Sequence, residues 1–385
     1  MNKPKVSVLI PAYNHEKFLK DTIESVLNQT FSDFELLISD DCSTDNTAQV
    51  IKSFSDQRIA GIFFEENRGT VRALNSLLEH AKGEYIAVLG SDDIWEPKKL
   101  ERQLNVMEND KNLAACFTWA SIVDQNSNII SDEKEFPIHI FDFNNTDRVM
   151  MLKEIFLSGN HFCHSSVLIR GDIHCQVGEY NIAYRQLHDL DLWIRILLRH
   201  DVHIIEEPLV RYRYVVNSGN VSQNTEQNTS RLFNEADALI GYLFENISDE
   251  DFLKGFSEYI VGEHVYTETQ IMCEKFFVLR QKKLWGAENT SLAIDFLMKH
   301  LDEDMVRCFE QDYGISLREI YDETGNFKAT YSAEEHLEFA RLRGECLQLK
   351  GQLDATLTSN SWKITKPLRI ITRMLKENKK NKDEK

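Results

Sequence analysis

The chain has 385 residues, 42% hydrophobic and 10% aromatic, which excludes a disordered polymer and leaves room for a sizeable core in more than one domain. Its formal charge of −18 is unevenly spread: Trp362 to Lys385 carries nine Lys and Arg against three Asp and Glu, leaving −24 on the remainder. So acidic a body excludes nucleic-acid binding, which rests on phosphate neutralisation, and an anionic substrate would need a local metal or arginine.

From Met1 the chain passes almost directly into an apolar strand, residues 6–10, ending at Pro11-Ala-Tyr-Asn14. No signal peptide and no bilayer-spanning segment is expected, so the chain is expected in the cytosol or on the cytosolic face of a membrane. Phe18, Leu19, Thr22, Ile23, Val26 and Leu27 predict a helix over 15–29. A second strand, 34–39, ends at Asp40-Asp41, and Ser43, Thr44 and Asp45 are candidate caps of the next helix. A third strand, 59–64, leads to Asn67-Arg68-Gly69 and a helix over 70–80. The fourth, 85–89, is an unbroken apolar run ending at Gly90-Ser-Asp-Asp93. Four strand–helix alternations predict a doubly wound, mostly parallel α/β sheet, with polar residues closing every strand along one edge. Asp92 and Asp93 are hard oxygen ligands suited to Mg²⁺ or Mn²⁺, or else the acidic cap of the helix that starts near Pro97. No Gly-x-Gly-x-x-Gly follows the first strand, which argues against a nicotinamide-dependent oxidoreductase.

Val-Ser-Val-Leu-Ile-Pro-Ala-Tyr-Asn, Ser-Asp-Asp-Cys-Ser-Thr-Asp-Asn-Thr, Asn-Arg-Gly and Gly-Ser-Asp-Asp-Ile-Trp, in this order, resemble the family 2 glycosyltransferases over residues 4–215. The resemblance implies a GT-A fold and an inverting transfer of sugar from a nucleotide-diphosphate donor, expected to be UDP-linked. It implies that Pro11, Ala12, Tyr13 and Asp41 cradle the base, Asp41 by accepting the uracil imino hydrogen. Arg72 is placed near the base or diphosphate. Ser91 and Asp92 line the donor site, Asp92 near the ribose, and Asp93, seconded by Asp92, binds Mn²⁺ or Mg²⁺. Gly90 stands where the commonest form has a further Asp, which removes one candidate ligand.

Beyond the fourth strand the pattern predicts a strand over 113–123, a hairpin at 126–128, a helix over 147–157 and a strand over 165–170. Gly159-Asn-His-Phe-Cys-His164 lacks the second thiol of a soft-metal site, and His164 is read as a structural or acceptor-side group. The seven cysteines are scattered without a Cys-x-x-Cys pair, which suits a reducing compartment rather than a disulfide framework. Leu187, Leu190, Ile194, Leu197 and Leu198 predict a helix whose first turn holds Asp189 and Asp191, about 200° apart around the axis. Asp191 points to the packed side and is read as a backbone cap; Asp189 faces the cleft. The family resemblance makes Asp189 the general base, with His188 in place of the usual Glu. The helix dipole is expected to favour its charged form. His188 and Trp193 join His164 on the acceptor side.

Strands over 202–205 and 209–212 follow, and the family resemblance implies a metal-binding His where Tyr214 and Val215 stand, so either the site lacks that ligand or Asn217 or Ser218 fills in. Residues 217–229 read as a flexible lid. The organisation expected is a catalytic domain (1–222), a helical extension (223–331) that packs on it or shapes the acceptor side, a short coiled-coil-like helix (332–358) that dimerises or packs on its own chain, and a basic amphipathic tail (359–385). The tail, opening near Trp362, is expected to bind an anionic membrane surface, bringing the enzyme to a glycan or lipid-linked acceptor of surface-polysaccharide synthesis. The alternative is an inactive scaffold on the same fold, working through its coiled coil and tail.

Overall fold

The four leading apolar runs form strands β1 (Val6–Ala12), β2 (Phe34–Asp40), β3 (Ile59–Phe63) and β4 (Tyr85–Val88), connected by helices α1 (Leu19–Leu27), α2 (Thr47–Lys52) and α3 (Thr70–His80). The pairs β1–β2, β1–β4 and β2–β3 are parallel. Parallel neighbours need a crossover across a sheet face, so inner strands are covered on both sides; β4 is buried at every residue. α1 turns Leu19, Thr22, Ile23 and Val26 inward at three- and four-residue spacing. This computed structural model describes residues 3–131, 137–215, 225–262, 267–280, 283–284, 287–288, 291–326 and 341.

Next come β5 (Ile94–Trp95), α4 (Lys99–Asn109), β6 (Leu113–Val123), α5 (Arg148–Ser158), β7 (Leu168–Arg170), α6 (Gly171–Val177), α7 (His188–Leu197) and β8 (Asp201–Arg213). They complete a mixed eight-stranded sheet in the order β3-β2-β1-β4-β7-β6-β8-β5. β7 runs antiparallel to both its neighbours, and β8 runs parallel to β6 and antiparallel to β5.

Local chemistry explains where these elements depart from expectation. The first helix begins at Leu19 rather than near His15; the segment before it is a turn whose His15 carbonyl accepts the Leu19 amide (3.0 Å), and the amides of His15 and Glu16 donate to Thr47 Oγ1 (2.9 Å) and Asp45 Oδ2 (3.1 Å). The strand expected over 165–170 opens as a 3₁₀ turn, His164–Ser166, whose serines bond to neighbouring segments. The two strands expected around 202–212 are one, β8, with its register against β6 shifting between Ile205 and Pro208. A bulge at a proline lets the ladder continue where an unbroken strand could not.

Among the described residues the helices α8 (Glu226–Asn246), α9 (Asp249–Phe256), α10 (Glu268–Arg280), α11 (Ser291–His300), α12 (Glu303–Asp312) and α13 (Leu317–Asn326) follow. Residues 225–229, expected in the lid, instead cap and open α8, the Thr225 hydroxyl accepting from the Asn228 amide. Residues 216–224, including Asn217 and Ser218, lie outside the described residues. The single helix expected over 252–277 is broken, and past the break the Val261 and Gly262 amides donate to the Glu274 carboxylate at 2.8 and 2.7 Å.

One buried cluster joins Leu74 and Ile86 with Leu190 and Ile194 of α7 and with Leu239, Phe244 and Phe277 of the later helices. The opposite sheet face packs Val8, Ile10, Ile23, Leu100 and Met107. Each such side chain contributes roughly 1.5–3 kcal/mol on burial. The sheet and the helices after it thus share one core within the compact unit Met1–Thr330. Of the second unit, Tyr331–Lys385, only Arg341 is described; the coiled-coil helix and the basic tail lie outside the described residues.

Candidate active site

The ends of β1 to β4 are laced into one rim. Asn14, in the left-handed region at φ 53°, accepts the Thr44 amide on Oδ1 (2.8 Å), and its own amide donates to Ser43 Oγ (2.9 Å). Asparagine tolerates that backbone better than other side chains of its size, so the loops after β1 and β2 lock together. Asp41, 3% exposed, accepts the amides of Arg68 and Gly69 at 2.7 and 2.8 Å, pinning the loop after β3. His15 Nδ1 lies 2.6 Å from Ser91 Oγ, tying β1 to the turn after β4. Above this rim stands Tyr13, 44% exposed, beside Ala12 and Pro11 on β1. Arg72 lies on the first turn of α3, exposed.

The turn Gly90–Asp93 separates its two carboxylates. Asp93 is 3% exposed; Oδ1 accepts the Arg213 amide at 2.8 Å and Oδ2 accepts the Ser165 hydroxyl. Burial first, then the neighbouring Asp92 charge, pushes its pKa up to about 8. A β-carbon on Gly90 would stand 2.9 Å from Asp93 Oδ2, so the residue that replaces the family's first Asp has a steric reason to lack a side chain. Asp92 is half-buried, and among the described residues its carboxylate has no hydrogen-bond partner. Both Asp93 oxygens are thus engaged inside the protein. Arg213, 3% exposed, braces the turn: Nε donates to the Asp92 carbonyl (2.7 Å), and Nη1 and Nη2 donate to the Asp124 carbonyl (2.9 Å) and Ser127 Oγ (3.0 Å). Among the described residues no three His, Cys, Asp or Glu converge on one point. The donor set fits a magnesium- or manganese-type ion held by one carboxylate, substrate phosphates and water.

Across from this turn, Asp189 occupies the first turn of α7. Its Oδ2 accepts Asn160 Nδ2 at 2.9 Å and its Oδ1 the Leu190 amide at 2.7 Å. Burial raises its pKa above the ordinary 3.8, against the lowering by His188 and these hydrogen bonds. The expectation that the helix dipole would hold it low is thus corrected: desolvation wins, which makes the carboxylate a stronger proton acceptor. Asp191, 4% exposed, is structural as expected but caps no amides. Its Oδ2 takes Nε and Nη2 of Arg195 (3.0 and 2.6 Å), and Arg195 in turn holds the Glu179 carbonyl at 2.9 Å.

Of the acceptor-side candidates, Trp193 is a correction: it is 1% exposed, edge-on to Phe117 with centroids 4.8 Å apart, and belongs to the core. His164 Nε2 lies 2.9 Å from Tyr180 Oη, and burial, then His188, pushes its pKa well below 6.5, so it is neutral at pH 7. His188 stacks edge-on to His164 at 5.4 Å, with Nδ1 3.2 Å from the Arg185 carbonyl and Nε2 buried without a partner among the described residues.

The two sides meet at Tyr212 on β8. Its phenol is held from ionising by burial first, then by the carboxylates of Asp93 and Asp92, the Cys163 thiol and the carboxylate of Asp189. Carboxylates from both sides of the cleft thus act on one phenol. Ser165, Asn160, Tyr212 and Arg213 were not singled out from the sequence; an isolated polar residue in a loop or at a strand end has no periodic signal. A separate depression of about 1730 Å³ at the amino ends of the strands, lined by Lys3, Asp33, Arg58 and Glu84, contains none of the expected site residues.

The description Glycosyl transferase family 2 matches residues 7–174. The chain is 36% identical over 219 residues to a putative teichuronic acid biosynthesis glycosyltransferase, TuaG, of Bacillus subtilis, covering 56% of this chain and 81% of that one. It is 29% identical over 244 residues to WfgD of Escherichia coli, a UDP-Glc:α-D-GlcNAc-diphosphoundecaprenol β-1,3-glucosyltransferase, covering 63% and 87%. Its backbone resembles residues 1–349 of S. aureus TarS in complex with UDP at a TM-score of 0.50 and 17% identity, over 84% of this chain and 92% of that one.

Proposed function

The chain belongs to glycosyl transferase family 2, and on that premise we propose that it transfers a sugar from a UDP-linked donor to an acceptor hydroxyl, with inversion, in surface-polysaccharide synthesis. The observation that carries this reading is the common neighbourhood of Asp92 and Asp189 around Tyr212, a donor-side carboxylate and a base on one cleft. Tyr13, Ala12 and Pro11 supply the wall for the base, and Asp41, whose two oxygens each keep a free lone pair beside the Arg68 and Gly69 amides, supplies an acceptor for its imino hydrogen. Arg72, exposed on α3, is free to reach the diphosphate.

Asp189 takes the acceptor proton as the acceptor oxygen attacks the anomeric carbon; the bond to the diphosphate oxygen breaks from the opposite face, and the nucleoside diphosphate leaves. A half-buried carboxylate with raised proton affinity suits that transfer, and Asn160 keeps it aimed. Mn²⁺ or Mg²⁺, held by Asp92 with the diphosphate, would supply Lewis-acid neutralisation of the leaving group. The resemblance to WfgD supports a UDP-sugar and a lipid-linked acceptor, and the basic tail supports peripheral attachment where such an acceptor lies.

Calorimetry of UDP with and without Mn²⁺ tests the donor reading: binding should tighten with Mn²⁺, and metal-independent or absent binding would turn the reading toward the scaffold. Vesicles of phosphatidylglycerol test the tail: deletion of residues 362–385 should abolish co-sedimentation at low salt, and undiminished binding would remove the membrane role.

A further inference from the structure

The turn that delivers Asp189 is held by a carboxylate from outside the segment the family description matches. Glu235, on α8, is 7% exposed. Its Oε1 accepts the Arg185 amide at 2.9 Å, and its Oε2 accepts the amides of Gln186 and Leu187, both at 2.8 Å. These are the last three residues before α7.

A helix start leaves amides without partners, and the usual remedy is a polar residue at the cap. Here the cap position is Leu187, which has no side-chain acceptor, so the preceding turn is ordered instead by Glu235. The Asp191 amide closes the first helical hydrogen bond onto the Leu187 carbonyl at 2.9 Å, placing Asp189 between two fixed backbone points. Ala236, Leu239, Ile240 and Leu243, all 0% exposed, seat the Glu235 side of α8 in the shared core, so the carboxylate has a rigid mount.

We propose that Glu235 is a positioning residue for Asp189, so that the helical extension completes the active site; this rests on reading Asp189 as the general base. Glu235 fixes the backbone beneath the base, and Asn160 fixes its oxygen. The donor side has a matching brace in Arg213 at the end of β8, so the two supports of the cleft come from consecutive described elements, β8 and α8. A displacement of about 1 Å in a proton acceptor costs on the order of a hundredfold in rate, whereas donor contacts on β1 to β4 are untouched. The signature is a loss of kcat without a loss of donor affinity.

The test uses the full chain, with UDP in Mn²⁺ as the binding probe and, as turnover probe, UDP release from the fastest of UDP-glucose, UDP-galactose and UDP-N-acetylglucosamine. Glu235→Gln places a donor against amide donors; it should bind UDP within about twofold of the parent while kcat falls about tenfold or more. Glu235→Asp, which keeps the charge, should recover part of the loss. Parent-like kcat in Glu235→Gln overturns the proposal, as does an equal loss of kcat and UDP affinity, which marks general damage. If Glu235→Gln does not fold, Glu235→Asp carries the comparison: reduced kcat at unchanged affinity supports positioning, and parent-like kcat refutes it. Asp189→Asn in the same assay separates the layers. Parent-like turnover there removes the base and the proposal together; an inactive Asp189→Asn beside a parent-like Glu235→Gln removes only the positioning.

Discussion

Asp92 and Asp93 are adjacent in sequence and opposite in circumstance. Asp93 is fixed beneath the turn by Ser165 and the Arg213 amide, and the half-buried Asp92 carboxylate is left without a hydrogen-bond partner among the described residues. Asp92→Asn should therefore lower Mn²⁺-dependent UDP affinity about tenfold or more, while Asp93→Asn, which can still accept the Arg213 amide, should leave it within a few-fold. Titration calorimetry of both variants decides this, and the reverse ranking would return the metal to Asp93. The Asp-Asp signal and its place at a strand end were legible because residue type and a buried run suffice to find them. Which of the two faces out was not, since the answer depends on Ser165 and Arg213, far away in sequence. Lys99 carried no signal at all. It is 0% exposed, with Nζ 2.7 Å from Gln103 Oε1 and 3.9 Å from the Trp95 ring centroid, and burial pushes its pKa down from 10.5 to about 7. The unfolded chain thus binds one more proton than the folded chain between those values, so this residue makes stability rise with pH through that window, by up to about 1.4 kcal/mol per unit. Lys99→Met should flatten that rise in denaturant melts at pH 7 and 9; an unchanged slope would mean the ammonium is solvated.

The turn after β4 depends on Gly90 because Asp93 folds back under it. Gly90→Ala places a methyl 2.9 Å from Asp93 Oδ2 and 3.2 Å from Ser165 Oγ. The variant should lose about 1–3 kcal/mol of stability and weaken UDP binding, because the same turn carries Asp92. Chemical denaturation reads the first and calorimetry the second; parent-like values in both would show a looser turn than described. Elements with a strong period were read correctly, among them β1 to β4, β6, α5 and α7. The ends of β6 were read correctly as well, but those of the first helix and of β8 were not, because there the ends are set by partners the periodicity does not contain. Asp45 and Thr47 hold the turn before the first helix, and the bulge before Pro208 lets two apparent strands act as one. α7 shows both lessons: its apolar spacing announced a buried helix, but the carboxylate ordering its approach sits on α8.

For the molecule as a whole, the strand–helix alternation and the chain of strand-end motifs were enough to anticipate a GT-A sheet, and the described fold agrees. The extension was read as helices that pack on the catalytic domain or shape its acceptor side, with no catalytic motif among them. Its helices bury Leu239, Phe244 and Phe277 in one cluster with α7, which no local pattern could reveal, because a shared core is a property of two segments at once. On the proposed reading the chemistry of the cleft is local in so acidic a body: Asp92 serves a cation on the donor side, and Asp189, with its raised proton affinity, takes a proton on the other. Because the Asp189 pKa is raised, the acid limb of kcat should lie above pH 3.8, with activity lost as the carboxylate protonates. The decisive measurement is Asp189→Asn at pH 7, scored for Mn²⁺-dependent UDP binding and for UDP release from the preferred donor. The account predicts binding within about twofold of the parent and turnover lower by about a hundredfold or more. Turnover equal to the parent would contradict it.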